Sequence, residues 1–515
     1  MASGSRHLQE VGELLVFIAR RLAISSLTLL AATFIMFFLV ALSGDPLADL
    51  RESSLPDAPR LMEARIAAMH LDEPIPVRYF SWLTGIFQGD LGVNKAGTTV
   101  SSLLGGAMES TLKLVVVATV LAAVIGIAIG IVSALRQYSS FDHGITFAAF
   151  VCFSLPVFWV ATMLKQYVAI EFNDWLRDPY IPLPIILIVA LCAGLIWASV
   201  YNGDRKGKLT AFGIGLVVTA VILFALSASR WFADPGLGFP FVLVVGLTTA
   251  AGVAALVAGV EHLQPMYAAL GAAGVGALLY YPLQPMLIAP SVLTLLGLFV
   301  VAGLVSAAIG WQFGGLLRRQ AIPLAVFSGL FVAAMIFIDR LLEAWDGYAR
   351  ALKGRPVATI GSETPNFLGN FWQTTLDSGM HLLLPTLALI LVGLASHSRY
   401  SRASMLEVMN QDYVRTARAK GLPERTVVIK HAFRNGMIPI TTILALDFAG
   451  VFGGAVITET VFGWRGMGKM FEVGLREVDP MPVMGFFLVT GTSIVVWNML
   501  ADIAYAYLDP RIRLS

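Results

Sequence analysis

DYVRTARAKGLPERTVVIKHAFRNG, residues 412–436, stands between two apolar runs near 381–398 and 437–461, each long enough to cross a bilayer. So charged a segment has to lie at a membrane surface, because ionised side chains are costly in hydrocarbon. Asn410 to Lys420 consists of good helix formers with alternating charge. Gly421 then falls where a glycine ends a helix in the left-handed conformation. Pro423 suits the first turn of a second helix, where its missing N–H costs nothing, and Glu424 complements the positive helix N-terminus. The second helix is predicted to run to about Arg434 and stop at Asn435–Gly436, with Pro439 opening the next span. Two short helices thus meet at a glycine elbow.

The rest of the chain says what carries this elbow. Of 515 residues 57% are hydrophobic and 13% charged, against about 25% charged in soluble domains, and mean hydropathy is +0.77. This is an integral membrane protein with an all-α polytopic fold. Abundant glycine (48 residues) suits close helix packing in lipid. Cys152 and Cys192 lie in apolar runs with no CxxC spacing and read as small buried side chains. The histidines are scattered, with no HExxH and no i, i+4 pair. His397 and His431 read as polar interface residues, and no metal site is expected. No Gly-x-Ser-x-Gly elbow or intramembrane Asp pair suggests hydrolysis. Gly463-Trp-Arg-Gly-Met-Gly468-Lys469 nearly spells a phosphate loop, yet Met470 stands where Ser or Thr must hold Mg²⁺ and no βαβ unit surrounds it. The chain is therefore expected to bind no cofactor and no nucleic acid, and not to be an enzyme.

Twelve apolar runs can be counted, near 22–43, 110–135, 144–171, 180–201, 209–229, 239–260, 265–283, 289–309, 321–339, 381–398, 437–461 and 482–507. Arg20 and Arg21 precede the first, which reads as an uncleaved span. Residues 1–21 form an N-terminal segment, and 44–109 a polar external loop. Short loops holding Arg6, Arg136, Arg205, Lys206, Lys208, Arg318 and Arg319 alternate with short loops nearly free of Lys and Arg. The positive-inside rule then places both termini and the 399–436 loop in the cytoplasm. No internal repeat stands out, which weighs against a duplicated secondary transporter.

From charge alone the 412–436 segment reads as an anchor on anionic lipid. Its sequence, however, resembles the ATPase-docking loop of ABC importer permeases, specifically the first ("B-type") permease of the dipeptide/oligopeptide/nickel uptake family. The general permease motif is Glu-Ala-Ala, three residues, Gly, nine residues, Ile-x-Leu-Pro. Gly421 matches its glycine and Ala417 its second alanine. Arg415 and Thr416 replace the Glu and first Ala, His431 falls at the Ile, and Phe433 and Arg434 stand where Leu-Pro would be. The peptide-permease form, DYVRTARAKGL followed by His-x-x-x-Asn, is met closely. Leu71-Asp-Glu-Pro74 and Gly89-Asp-Leu-Gly92 are similar to the family's first external loop, and Ser154-Leu-Pro-Val-Phe-Trp159 to its third span. His381-Leu-Leu-Leu-Pro385 is similar to its fourth span. Glu459-Thr-Val-Phe462 with Gly466-Met-Gly468 resembles the exit of the fifth, although Arg465 stands where Pro is usual. Leu508-Asp-Pro-Arg-Ile-Arg513 resembles the family terminus.

The resemblance implies a six-span type I permease core made of 22–172 (spans one to three) and 373–515 (spans four to six). Residues 173–372, with about six added spans, have no counterpart in it and read as an insertion, a peripheral scaffold rather than pore lining. It implies ATPase coupling through Arg415, Ala417, Lys420, Gly421, Leu422, Pro423, Glu424, Arg425 and His431. It also implies partners: a second permease subunit, two ATPase subunits that hold ATP and Mg²⁺, and an external substrate-binding protein, all at a bacterial or archaeal cytoplasmic membrane with its lipid. Peptides are the implied cargo, with nickel complexes, glutathione or sugars as alternatives. Ionisable residues in the spans supply pathway or gate candidates: Lys165, Asp447, Glu459 and Asp502. For Asp447 and Asp502, pairing with a neighbouring helix competes with lining the pathway; Lys165 can snorkel instead. The rival from another class is a twelve-span secondary transporter driven by an ion gradient.

Overall fold

The computed structural model describes the backbone of residues 2–201, 203–259, 261, 263–451 and 455–508, and side chains between 19 and 500 except at those gaps and at 445 and 449. Asp502, the side chain of Arg6 and the terminal Asp509, Pro510, Arg511 and Arg513 lie outside the described side chains. The described chain is helical, its one β feature a single bridge between Val93 and Thr99. Among the described residues nine helices are long and apolar enough to cross a bilayer. Two bent pairs raise this to eleven: Ser140–Ser154 with Val157–Trp175, bent by 100°, and Leu263–Leu278 with Tyr280–Leu287, bent by 50°. The first bend falls at Leu155–Pro156, where a proline cannot continue the ladder. The eleventh expected run, 437–461, is divided: Arg434–Gly450 is only 17 residues long, and a separate helix covers Val456–Phe462.

The chain forms two compact units. The first comprises 1–168, 359–362 and 382–515; the second comprises 169–358 and 363–381. In the first unit the helix predicted from 110 begins at Val100 and runs to Leu135, 36 residues. That is about 54 Å, well beyond the ~30 Å hydrocarbon core. The helix expected at 381–398 is likewise longer, Phe371–Met409. Apolar composition marks only the part of a helix inside lipid, so sequence patterning shortens both.

These two helices pack backbone to backbone. A methyl group on Gly126 would lie 2.7 Å from His397 Cβ, and one on Gly130 would lie 2.5 Å from the Ser398 carbonyl oxygen and 2.7 Å from Ser401 Cβ. The Ser401 hydroxyl donates to the Ile127 carbonyl at 3.2 Å. Small residues permit this approach where no hydrophobic force drives helices together. Gly130→Val is expected to cost more than the 1–3 kcal/mol typical of overpacking, because its obstacles include backbone. A thermal unfolding midpoint for the purified Gly130→Val chain equal to wild type would refute the close approach.

Around the 44–99 stretch, short helices Ala48–Arg51, Ala58–Met69 and Ile75–Ile86 precede a tight turn in which the Asn94 side chain accepts from the Ala96 and Thr98 N–H groups. The Lys95 N–H donates to buried Asp479 Oδ2 at 2.7 Å, fixing this turn to the 477–479 loop.

The second unit is a bundle built on alanine. Ala268, Ala269, Ala272, Ala273 and Ala277 of the Leu263–Leu278 helix are all but fully buried among the helices Gly238–Ala258, Val292–Phe313 and Arg318–Glu343. Leu183–Val200 and Arg205–Ala228 pair as a hairpin, with Gly194 against Phe212 and Gly215 against Trp197. Asp339 is a fully buried carboxylate in this bundle. Its Oδ1 accepts the Leu237 and Gly238 N–H groups at 2.7 and 3.0 Å, capping the Gly238–Ala258 helix, and Oδ2 accepts from the Tyr280 hydroxyl.

Candidate functional site

The 412–436 segment takes the elbow form its sequence predicts in its first half. A helix spans Asp412–Ala419, and Gly421 follows at φ +72°. The Gly421 N–H donates to the Arg418 carbonyl at 2.9 Å and the Leu422 N–H to the Ala417 carbonyl at 3.4 Å. These are the paired bonds of a Schellman ending, which require a left-handed residue at the turn. Pro423 at φ −56° opens the next helix, Glu424–Thr426.

The second half departs from expectation. The chain does not stop at Asn435–Gly436 but passes from a π-helix, Val427–Phe433, straight into Arg434–Gly450. Gly436 is buried where a methyl group would lie 3.0 Å from Met405 Sδ, and its carbonyl accepts from the Ser404 hydroxyl at 2.7 Å. Its smallness serves packing inside a helix rather than termination, and sequence alone does not separate the two uses.

One face of the elbow is anchored and the other is exposed. Val414, Ala417 and Val427 are buried together with Val408 and Met409. Ala432 joins Ala134 and Met405 in an adjoining cluster, tying the segment to the ends of both long helices. Arg415, Lys420, Gly421, Leu422, Pro423, Glu424 and Arg425 are exposed, and His431 is half-buried. Ala417 is therefore a packing residue, while the charged positions line an open surface. Across the turn Arg418 donates to both Glu424 oxygens, at 2.7 and 3.1 Å. The guanidinium holds the Glu424 carboxyl below its ordinary range. A carboxylate with a depressed folded pKa stabilises above its unfolded pKa and loses that contribution as pH falls through the folded one, so this strap is constant near neutrality. Being exposed, it is worth less than about 1 kcal/mol.

The intramembrane candidates fall in separate places. Lys165 Nζ donates to the Val461 carbonyl at 3.2 Å. Asp447 Oδ2 lies 3.4 Å from Nε2 of buried His397. Glu459 is fully buried: Oε1 accepts from the Thr111 hydroxyl at 2.7 Å and Oε2 from the Lys469 N–H at 3.0 Å, while the Met467 N–H donates to Thr111 Oγ1 at 2.8 Å. A methyl group on Gly466 would collide with the Glu459 carboxylate. The helix Met467–Arg476, which follows the phosphate-loop-like stretch, thus receives the chain's own carboxylate at its N-terminus, where anions are favoured. Glu459→Gln places an amide N–H₂ against an acceptor-seeking N–H and is expected to cost about 1–3 kcal/mol. A thermal midpoint unchanged by that substitution would contradict the capping role.

Sequence reasoning missed the best-formed ion pair. Asp142, buried at the start of Ser140–Ser154, accepts from Arg402 Nε and Nη2 at 2.7 and 2.8 Å, from the Tyr138 N–H at 3.0 Å and from the Ser133 hydroxyl. Ser139 caps the same helix through the Asp142 N–H. The available signal was a Ser-Ser-Phe-Asp helix start beside a basic loop; nothing in it pointed to Arg402, 260 residues away.

Comparison with known proteins defines the class. Residues 14–128 match the N-terminal model of binding-protein-dependent transport system membrane components, and 270–514 match the model of the binding-protein-dependent transport system inner membrane component. The second match begins inside the 173–372 stretch. A putative peptide permease protein of Brucella ovis is 37% identical over 224 residues, 42% of this chain and 68% of that one. The oligopeptide transport system permease AppB of Bacillus subtilis is 26% identical over 500 residues, covering 96% of this chain and 99% of its own. The dipeptide transport system permease DppB of Escherichia coli is 24% identical over 502 residues, at 97% and 99% coverage. The chain belongs to this family of inner membrane components: it is an ABC importer permease, a multi-pass protein of the cytoplasmic membrane.

Proposed function

We propose that this permease is one half of an ATP-driven peptide importer, with both termini and the 399–436 loop in the cytoplasm. A second permease completes the pore, and two ATPases dock on the 415–434 elbow. The observation that carries this reading is the two-faced elbow: Val414, Ala417 and Val427 fasten it to the end of the Phe371–Met409 helix and Ala432 to both long helices, while Arg415, Lys420 and the Gly421–Arg425 turn stay exposed. A rigid turn anchored this way transmits displacement rather than absorbing it. Peptide cargo is supported by the names of the relatives above, and an external binding protein delivers it. ATP and Mg²⁺ belong to the ATPases.

The 169–358 and 363–381 unit, compact in itself, supports the scaffold reading of the insertion. Its buried carboxylates among the described residues are spent on local bonds: Asp339 caps a helix, and Asp377 accepts from the Thr364 N–H and hydroxyl. Transport surviving deletion of 180–339 agrees with that reading; intact assembly with lost transport contradicts it.

The deciding experiment is purification of the tagged chain from its native membrane followed by uptake in proteoliposomes. Two co-purifying ATPases and peptide uptake abolished by mutation of their catalytic sites are expected. Uptake that survives those mutations and collapses with an uncoupler would instead establish an ion-driven carrier.

A further inference from the structure

Between Arg434 and Arg465 the chain carries two ionisable side chains, Asp447 and Glu459. Glu459 is consumed by its cap, fully buried and bonded to Thr111 and the Lys469 N–H. Asp447 is not consumed. The Arg434–Gly450 helix rises about 20 Å from Arg434 to Asp447, which puts the carboxylate inside the hydrocarbon layer. Its side chain is nevertheless 41% exposed, and Oδ2 lies 3.4 Å from Nε2 of His397. No lysine or arginine among the described residues pairs with it, and Oδ1 has no described partner. Gly450, one turn on, is exposed, and nothing lies within 4 Å of a methyl group built on it, so this flank of the helix opens onto unfilled space. His397 is the fixed member of the pair. It is 5% exposed and sits where the Phe371–Met409 helix passes Gly126.

An ionised side chain at this depth is costly against lipid and faces a bundle interior or a water-filled cavity. The open flank of Asp447 therefore belongs to the space between the two halves of the pore, which is the route of the cargo. A carboxylate there attracts cations and repels other carboxylates, the more strongly because water is scarce. The two ends of a peptide meet it differently: the carboxyl end is turned away, and the protonated amino end brings a positive charge together with N–H donors. Such a charge-assisted bond is among the strong ones. A proton on His397 Nε2 donates to Oδ2, sets the direction of the carboxylate and leaves Oδ1 for the opening. Resting on the peptide-importer reading above, we infer that Asp447, positioned by His397, is the subsite of the route that receives the protonated amino terminus of the cargo.

The test uses the purified complex of permeases and ATPases with the external binding protein left out, so that only the route selects. Equilibrium dialysis with trialanine and N-acetyltrialanine measures binding. ATP-driven uptake of trialanine, with the binding protein restored, measures transport. Asp447→Asn keeps the shape of the side chain and removes its charge. It should weaken trialanine binding about tenfold or more, as loss of one charge-assisted hydrogen bond implies, and leave N-acetyltrialanine unchanged. Asp447→Glu should regain part of the loss. His397→Leu should weaken trialanine in the same selective way, and His397→Gln, which keeps a donor, should recover it. Equal weakening of both peptides, or of neither, overturns the subsite. So does a complex that falls apart on Asp447→Asn, because the carboxylate then bonds the second permease. The importer reading fails separately: selective binding of trialanine without ATP-driven uptake keeps the subsite and removes the importer. ATP-driven uptake indifferent to Asp447→Asn, with unselective binding, keeps the importer and removes the subsite.

Discussion

Asp142→Ala is expected to lower the stability of the purified chain by about 3 kcal/mol, the lower end of the range for breaking a buried ion pair. The lower end applies because the Arg402 side chain retains 28% exposure and can turn toward solvent, whereas that of Asp142 is 4% exposed. Arg402→Ala strands a buried carboxylate, but one that keeps the Tyr138 N–H and the Ser133 hydroxyl. Its cost should be of similar size. Because each single change leaves the other charge unpaired, the double variant should lose less than the two singles combined. Unfolding midpoints for the four proteins measure this directly. Additive losses, or singles within about 0.5 kcal/mol of wild type, would show that the pair does not hold the 136–139 turn to the Phe371–Met409 helix.

Gly421→Val is expected to reduce ATP-driven uptake about tenfold or more, while Gly421→Asn stays near wild type. Nothing lies within 4 Å of a methyl group built on Gly421, so crowding plays no part and the whole effect comes from φ +72°. Left-handed backbone costs most side chains about 1–2 kcal/mol, and a β-branched one more, whereas asparagine tolerates it. The strain is relieved by opening the turn, which displaces Leu422, Pro423 and Glu424 and breaks the strap to Arg418. In a reconstituted complex ATP hydrolysis should persist while transport falls. Equal transport by the Val and Asn variants would remove the turn from the mechanism.

What the sequence reveals here follows from which interactions are local. The Gly421 elbow is legible because its determinants, a helix-forming run, a glycine and a proline, lie within a dozen residues and act through backbone geometry. The membrane class follows from composition, and the permease family from motifs in both halves. By contrast, the true lengths of Val100–Leu135 and Phe371–Met409 are set by packing outside the apolar zone. Gly436 reads as a terminator until Met405 and Ser404 are seen beside it. The Asp142–Arg402 and Glu459–Thr111 contacts join residues hundreds apart, which no spacing rule reaches. Asp339 is hidden for the same reason: its partners come from the start of another helix and from Tyr280.

The Val100–Leu135 helix has one more consequence. Thr111, which holds Glu459, and Ala134, which sits in the cluster beneath the elbow, are on this same uninterrupted rod. They are about 35 Å apart at 1.5 Å per residue. A stiff strut of that length delivers a push at one end to the other without any relay of side chains between them. The anchor of the elbow and the partner of Glu459 therefore share one continuous helix, and neither end can shift along its axis without loading the other.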